Sequence, residues 1–356
     1  MIYRSLTVFL LILMSLSLKD SLAEKLKGRV IDKDSGKPLF NVNIYLSGTL
    51  WGTTSNENGF YEINSIIPSD YQVVFSMIGY ETESKTVFIK KNKTVELNIR
   101  MKSKSYELEN ITVASEIPES WFENLKIFKD YFLGRTKFAH ECVLENEEYL
   151  EFEEPYQNIL TAKTSRPLKI TNYALGFKVT CELMNFKYDS YDTRLKYYIM
   201  THFEKIDTTD EDVIRKWEEN RREAYLGSLE HFLISLKRNT FLDEGFEVST
   251  SIVPMKNGYD LYRKMIFSSD SLLSRSQSND VSILKFNKFL QVEYKKSHSK
   301  FKPISWIKIM GMDVALDYFG FPVELMPFEV HGSWSQSGVA NMLPKYYFVS
   351  DTNSEM

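Results

Sequence analysis

The chain has 356 residues, and 44 Lys and Arg nearly balance 48 Asp and Glu, for a net charge of −4. With no basic blocks, that balance leaves no electrostatic case for nucleic acid or for an anionic membrane surface. An apolar fraction of 43% with 24 Phe and 21 Tyr suffices for hydrophobic cores and excludes a disordered chain.

Two cysteines, Cys142 and Cys181, are too few to scaffold a fold by disulfides, although a single bridge in an exported protein stays open. The first residues read as a targeting signal. Arg4 supplies positive charge, Ser5 to Leu18 is almost wholly apolar, and Ser21-Leu22-Ala23 places small residues three and one before a cut. An apolar run of about 14 residues falls short of the ~20 needed to span a bilayer. Residues 1–23 are therefore expected to be a signal peptide cleaved after Ala23, leaving a mature chain without a transmembrane helix. No Cys lies near the cut to carry a lipid. The remainder is long enough for two domains.

From Lys27 short strands alternate with turns. Gly28 to Ile31 and Val42 to Leu46 flank Asp32-Lys33-Asp34-Ser35-Gly36-Lys37-Pro38, a turn of Asp, Gly and Pro. Gly59 to Ile63, Tyr71 to Met77, Glu83 to Ile89 and Thr94 to Met101 continue the style, with Asn58-Gly59 and Pro68-Ser69-Asp70 as punctuation. Strands at about ten-residue spacing predict a small antiparallel sandwich.

The ordered motifs Gly28-x-Val30-x-Asp32, Ser35-Gly36-x-Pro38-Leu39, Gly48-Thr49-x-x-Gly52-Thr53, Asn58-Gly59-x-Tyr61 and Phe75-Ser76-x-Ile78-Gly79-Tyr80-Glu81 resemble the carboxypeptidase regulatory-like domain. The resemblance implies a seven-stranded transthyretin/Ig-like sandwich, here residues 24–104, similar to modules that open many Gram-negative outer-membrane transporters and other envelope proteins. Asn56 stands where the family commonly has Asp, which weakens any idea of a metal in that turn. The sandwich accompanies a zinc domain in metallocarboxypeptidases, and such a centre needs a His-x-x-Glu pair and a distant His. None of His140, His202, His231, His298 and His331 has Glu three residues on, so no zinc carboxypeptidase activity, metal or cofactor is expected.

Tyr106 to Val113 resembles the acidic-then-apolar connector of TonB-dependent transporters. The remaining length and its helical patterns do not fit a membrane barrel. Residues 105–118 are read as a linker, and residues 119–350 as an α+β domain with a mainly antiparallel sheet and two long helices. Glu119 to Leu133 spaces Trp121, Phe122, Leu125, Phe128, Tyr131 and Phe132 mostly on one side of a helix. Segments at Cys142 to Leu144, Tyr149 to Phe152, Asn158 to Lys163, Leu168 to Asn172, Phe177 to Tyr188 and Leu195 to Glu204 read as an antiparallel meander. Thr208-Thr209-Asp210 then opens a second helix expected to run to about Asn239.

On that helix Leu226, Leu229, Phe232, Leu233 and Leu236 form an apolar arc, beside a smaller, more polar arc of Arg221, Ala224, Ser228, His231 and Ser235. Arg221, Tyr225, Ser228 and His231 are the candidate pocket residues. Two readings stand: a ligand-processing or hydrolase-like cluster, or close packing of a helix on a sheet with Arg221 paired to a buried carboxylate. No Gly-x-Ser-x-Gly elbow occurs. Motifs from Phe132-Leu133-Gly134 through Asn220-Arg221-x-x-Ala224-Tyr225-x-Gly227-Ser228-x-x-His231 to Leu343-Pro344-x-Tyr346 also resemble the second domain of short envelope proteins that carry this sandwich. That resemblance transfers no catalytic residue.

Further strands are expected at Phe246 to Val253, Tyr259 to Phe267, Val281 to Tyr294, Ile304 to Met310 and Val314 to Tyr318, with Ser268 to Asp280 a Ser-rich loop. His331 to Gly338 reads as a polar loop whose His331 and Trp334 either bind sugar or peptide or bury the indole in a turn. The expectation is a non-enzymatic exported envelope protein of a Gram-negative bacterium, periplasmic or associated with the outer membrane. It would pair a docking or spacing sandwich with an α+β domain that binds an envelope protein or a glycan. The alternative is a ligand-processing domain built on Arg221, Ser228 and His231.

Overall fold

A computed structural model describes residues 24–104, 117–191, 194–252, 254, 264–275, 281–297 and 303–347. The expected signal peptide and most of the expected linker lie outside the described residues. The chain divides into two compact units, residues 1–45 with 51–106, and residues 46–50 with 107–356.

The first unit is a β-sandwich. Its strands are β1 (Lys25–Asp32), β2 (Asn43–Leu46), β3 (Gly52–Thr54), β4 (Phe60–Asn64), β5 (Ser69–Ser76), β6 (Glu83–Ile89), β7 (Thr94–Glu96) and β8 (Ile99–Met101). One sheet has the order β4-β1-β7 with β8 also on β1, and the other has the order β3-β2-β5-β6. Inward positions such as Leu26, Val30, Ile44, Tyr61, Val73, Phe75 and Met101 are buried, as alternation on half-buried strands requires.

The turns follow the sequence chemistry. Asp32 Oδ1 accepts from the N–H groups of Asp34 and Ser35. Asn56 Oδ1 accepts from those of Asn58 and Phe60, so Asn closes this turn in the way its family's Asp would. The sandwich departs from expectation at its last strand. Thr94 to Met101 is two short strands, both parallel to β1, and not one antiparallel strand. The break falls at Leu97, whose carbonyl turns inward to accept the Tyr61 hydroxyl at 2.7 Å. A Cβ on Gly28 would stand 1.9 Å from that oxygen, so the first glycine of the motif series makes room for the break.

The second unit opens with helix α1 (Glu119–Phe132), followed by β9 (Cys142–Leu144), β10 (Leu150–Tyr156), β11 (Ile159–Thr164), β12 (Leu168–Asn172), β13 (Phe177–Asp189) and β14 (Arg194–Lys205). These strands form one antiparallel sheet. The apolar side of α1 packs on it: Phe128 lies 4.7 Å from Phe186 and 4.6 Å from Phe132 between ring centroids. Both cysteines are free. Cys142 stands opposite Asn172 and Cys181 opposite Leu168 on the same strand. Four residues of offset is about 13 Å along β12, beyond the span of a disulfide.

Two further helices, α2 (Glu211–Tyr225) and α3 (Leu229–Arg238), replace the one long helix expected from Thr208 to Asn239. Then come β15 (Phe246–Ser251), β16 (Met265–Ile266), β17 (Leu273–Arg275), β18 (Ser282–Leu284), β19 (Phe289–Tyr294), β20 (Ile304–Ile309), β21 (Val314–Leu316) and β22 (Phe328–Gly332). They form an antiparallel five-stranded sheet, β16-β15-β19-β20-β22, and a small one, β17-β18-β21. The Ser-rich segment thus contributes a strand, and Val281 to Tyr294 breaks in two with Lys288 at φ +60°. His331 sits in a strand, not a loop. Helix α3 is buried without interruption from His231 to Leu236. Ile234 joins the core of α1 and the first sheet, while Phe232, Leu233 and Leu236 join the core of the second. Among the described residues no helix is long and apolar enough to cross a membrane.

Because Gly28 faces a backbone carbonyl that cannot swing away, Gly28→Ala is expected to destabilise the sandwich by about 2–4 kcal/mol. Urea unfolding of the full chain monitored in its first transition would show it.

Candidate functional site

The site forms where α2 ends and α3 begins. Asp210 caps α2 by accepting from the N–H groups of Asp212 and Val213. Seventeen residues on, Gly227 takes φ +78° and Ser228 is extended, which ends one helix and starts another. The Ser228 hydroxyl accepts from the His231 N–H at 3.1 Å and so caps α3. A Cβ on Gly227 would meet the Tyr294 ring at 2.6 Å, so both conformation and close approach call for glycine here.

Both polar groups of the Gly227 backbone are taken by side chains. Its N–H donates to His231 Nδ1 at 2.9 Å, and its carbonyl accepts the Trp334 indole N–H at 2.7 Å. Since a backbone N–H can only donate, Nδ1 is the acceptor and the proton of the neutral ring is on Nε2. Nε2 lies 2.6 Å from Glu244 Oε2, and the other carboxylate oxygen accepts the Thr240 hydroxyl at 2.6 Å. The imidazole is buried, with His231 as a whole 2% exposed, and Tyr225 and Phe246 are each 4.8 Å away and Tyr294 5.7 Å away between ring centroids. Burial pulls the His231 pKa below its ordinary value, and the Glu244 carboxylate opposes that pull.

The candidate residues therefore separate. Tyr225, Ser228 and His231 meet at the junction, but Ser228 is occupied as a cap and both imidazole nitrogens are engaged, so no free base faces the hydroxyl. Arg221 belongs to a different arrangement. Its Nε donates to the Leu175 carbonyl at 2.7 Å and an Nη to that of Gly176 at 3.5 Å, with the guanidinium 4.3 Å from the Phe177 ring centroid. Trp217 and Asn220 donate to the carbonyls of Tyr173 and Ala174. One face of α2 thus satisfies the successive carbonyls of the β12–β13 turn. The expected buried carboxylate partner of Arg221 is replaced by backbone carbonyls and an aromatic face.

His331 and Trp334 also part company. His331 Nε2 lies 2.9 Å from Glu329 Oε1 and its ring is 5.6 Å from Phe289. Trp334 packs 5.8 Å from Phe232 and through Gly227 belongs to the His231 cluster. Sequence reasoning missed Thr240, Glu244 and Tyr294, which carry no motif. It had the signal for Gly227, a glycine inside a helical pattern. Elsewhere in the second unit a cleft of about 590 Å³ is lined by Lys129, Arg135, His140, Cys142, Glu145 and Glu147, among others. Burial pushes the Cys142 thiol up to about 12, so it is no nucleophile at neutral pH. Among the described residues no group of three or more His, Cys, Asp or Glu is placed to hold a metal ion.

Residues 26–113 match the family model of the CarboxypepD_reg-like domain, so the first unit is a carboxypeptidase regulatory-like β-sandwich. No curated protein matches the chain. Among solved structures, a streptococcal ancillary pilin is 15% identical with a TM-score of 0.21, over 24% of this chain and 34% of that one. The minor pilin GBS52 of Streptococcus agalactiae is 22% identical with a TM-score of 0.21, over 26% of this chain and 48% of that one. A putative carbohydrate binding protein from Bacteroides uniformis is 9% identical with a TM-score of 0.19, over 82% of this chain and 98% of that one. The matches to the two pilins span half or less of their length, and TM-scores at this level do not establish a common overall fold.

A buried neutral imidazole makes stability depend on pH. With the folded pKa below the unfolded value of 6.5, the His231 contribution is complete above pH 6.5 and is lost as pH falls through the folded value. Glu230, raised to about 7 by burial against the pull of Lys345, acts with the opposite sign: its contribution is present in acid and lost as pH rises towards 7. Comparing wild type with His231→Gln, which keeps Glu230, isolates the imidazole. The stability gap between the two is expected to shrink as pH falls from neutral towards 5, measured by urea unfolding across that range. Trp334→Phe leaves the Gly227 carbonyl without its indole donor and is expected to cost about 1–3 kcal/mol, readable in the same experiment at pH 7.

Proposed function

We propose that this is an exported, non-enzymatic cell-envelope protein in which the sandwich docks or spaces and the α+β domain binds a partner protein or a glycan. The observation that supports this most is the commitment of His231: with Nδ1 holding Gly227 and Nε2 holding Glu244, the histidine locks a helix junction and is not free to act as a base for Ser228. Arg221 is likewise spent on the β12–β13 turn. The carboxypeptidase regulatory-like module fits a docking role, and the cleft beside α1 is of a size suited to a small saccharide or a peptide side chain.

The export part of the reading rests on the amino-terminal pattern. We place the protein in the periplasm or at the outer membrane of a Gram-negative cell.

Two measurements test the proposal. Amino-terminal sequencing of the protein recovered from a cell fraction should begin at Glu24 and the protein should be absent from the cytoplasm; a cytoplasmic chain starting at Met1 defeats the export reading. A screen of the purified chain with ester, peptide and glycoside substrates should give no turnover. Turnover abolished by Ser228→Ala, in a variant that still folds, would establish the ligand-processing alternative.

A further inference from the structure

The chain as a whole is acidic, but residues 24–104 hold twelve Lys and Arg against nine Asp and Glu, and the cations are not spread evenly. On β1 the even positions Leu26, Gly28, Val30 and Asp32 are buried, while Lys25, Lys27, Arg29 and Ile31 alternate with them on the outer face. Strand register then divides this face in two. Lys25 pairs with Glu62 at 2.9 Å, and Lys27 stands between Glu62 on β4 and Glu96 on β7. Beyond that point no acid stands opposite β1. Arg29 faces Phe60 and hydrogen-bonds through its N–H to Asn98 Oδ1, and Ile31 faces Arg100. Lys33 follows, its N–H bonded to Met101 O.

These groups line a groove of about 660 Å³ that also takes in Glu83 and Lys85 of β6 and Glu96 of β7, so that four cations stand there against two acids. Arg29, Lys33, Lys85 and Arg100 are all exposed. Arg29 lays its guanidinium 5.1 Å from the Phe60 ring centroid and donates through Nε to the Asn58 carbonyl, contacts that orient the charge without neutralising it. Among the described residues of this unit, Lys25 and Lys102 form ion pairs, with Glu62 and Glu81. Phe60, 53% exposed, and Ile31 add apolar surface between the charges. One border of the groove is β6, which pairs with β5 along one edge and is terminal in its sheet.

We infer that this groove is a docking surface for an acidic, extended polypeptide segment of a partner protein. Three features favour that occupant. Cations from β1, β6, β8 and the residue after β1 stand apart at strand spacing, Arg29 to Lys33 covering about 13 Å, which suits a row of alternate carboxylates and not a single phosphate. Apolar side chains lie among them, matching the mixed side chains of a peptide. The free edge of β6 offers backbone N–H and C=O groups to a chain laid beside it. A lone lysine such as Lys85 is an ordinary defence of an edge strand; charges gathered from several strands of both sheets go beyond that defence. The inference deepens the docking role proposed for the sandwich and rests on it, while leaving the binding role of the α+β domain untouched.

Fluorescence anisotropy of the full chain with a labelled peptide of five Glu-Thr repeats, at about 20 mM salt where surface charges are weakly screened, tests the surface directly. Saturable binding is expected, with none for the Lys-Thr counterpart. Arg29→Glu with Arg100→Glu should weaken it about tenfold or more. Lys91→Glu with Lys93→Glu makes the same charge change on exposed residues outside the groove and should change it less than about twofold. Each variant is first shown to unfold at the wild-type urea midpoint, and Arg29→Gln with Arg100→Gln serves if charge reversal disturbs folding. No saturable binding up to about 1 mM peptide would overturn the inference, as would equal weakening by the two reversed pairs. Competition by inorganic phosphate or by vesicles of anionic phospholipid at the same charge concentration would also overturn it, assigning the face to a free anion or a membrane. None of these failures bears on the export or turnover measurements.

Discussion

The second unit depends on how one glycine's backbone is satisfied. Gly227 breaks what would otherwise be a continuous helix, and a break inside a protein exposes an N–H and a carbonyl that must find partners. Here the partners are side chains: His231, four residues on in the first turn of α3, and Trp334, far along the chain after β22. Glu244 and Thr240 then fix the far side of the imidazole. The bend lets α3 bury its residues in two cores at once, Ile234 on one side and Phe232, Leu233 and Leu236 on the other. A straight helix could not present both sets while α2 spends Trp217, Asn220 and Arg221 on the β12–β13 turn.

This arrangement explains why the most suggestive residues of the chain are not a catalytic set. A serine three residues before a histidine, with a carboxylate behind the ring, has the composition of a nucleophilic triad. Its geometry is that of a helix cap. The hydroxyl accepts from the histidine's backbone N–H, and the ring nitrogen that a base would offer is turned to a different backbone N–H. Buried polar networks of this kind fix one conformation when every member is satisfied, and each group of the His231 network described above has a partner.

What could be read from the chain alone was set by the range of the interactions involved. Asp32, Asn56 and Asp210 act within four residues of themselves, so their turns and cap were legible. The parallel placement of β7 and β8 on β1 depends on contacts some seventy residues away, such as Arg29 with Asn98, and nothing local announces it. The helix break at Gly227 had a local cue but was outweighed by strong helix formers on both sides. Trp334 looked like a loop aromatic because its partner, a carbonyl 107 positions earlier, leaves no trace in its neighbourhood. Leu273–Arg275 was hidden for a related reason: a three-residue strand in a Ser-rich stretch shows no period to detect.

Charge shows the same limit in another form. Summed over the chain, Lys and Arg are outnumbered, and a bulk argument against anionic partners follows. Register undoes that sum locally, because β1 delivers a cation at nearly every outward position, and the neighbours decide which are cancelled. Glu62 and Glu96 fall beside Lys25 and Lys27, whereas Phe60, Asn98 and Arg100 fall beside Arg29 and Ile31. A shift of two residues in the pairing of β1 with β4 would set Glu62 opposite Arg29 and cut the groove's excess charge. The sign of this surface is therefore a property of strand pairing, fixed by the same turns and core contacts that make the unit a sandwich. A partner that reads it reads the fold.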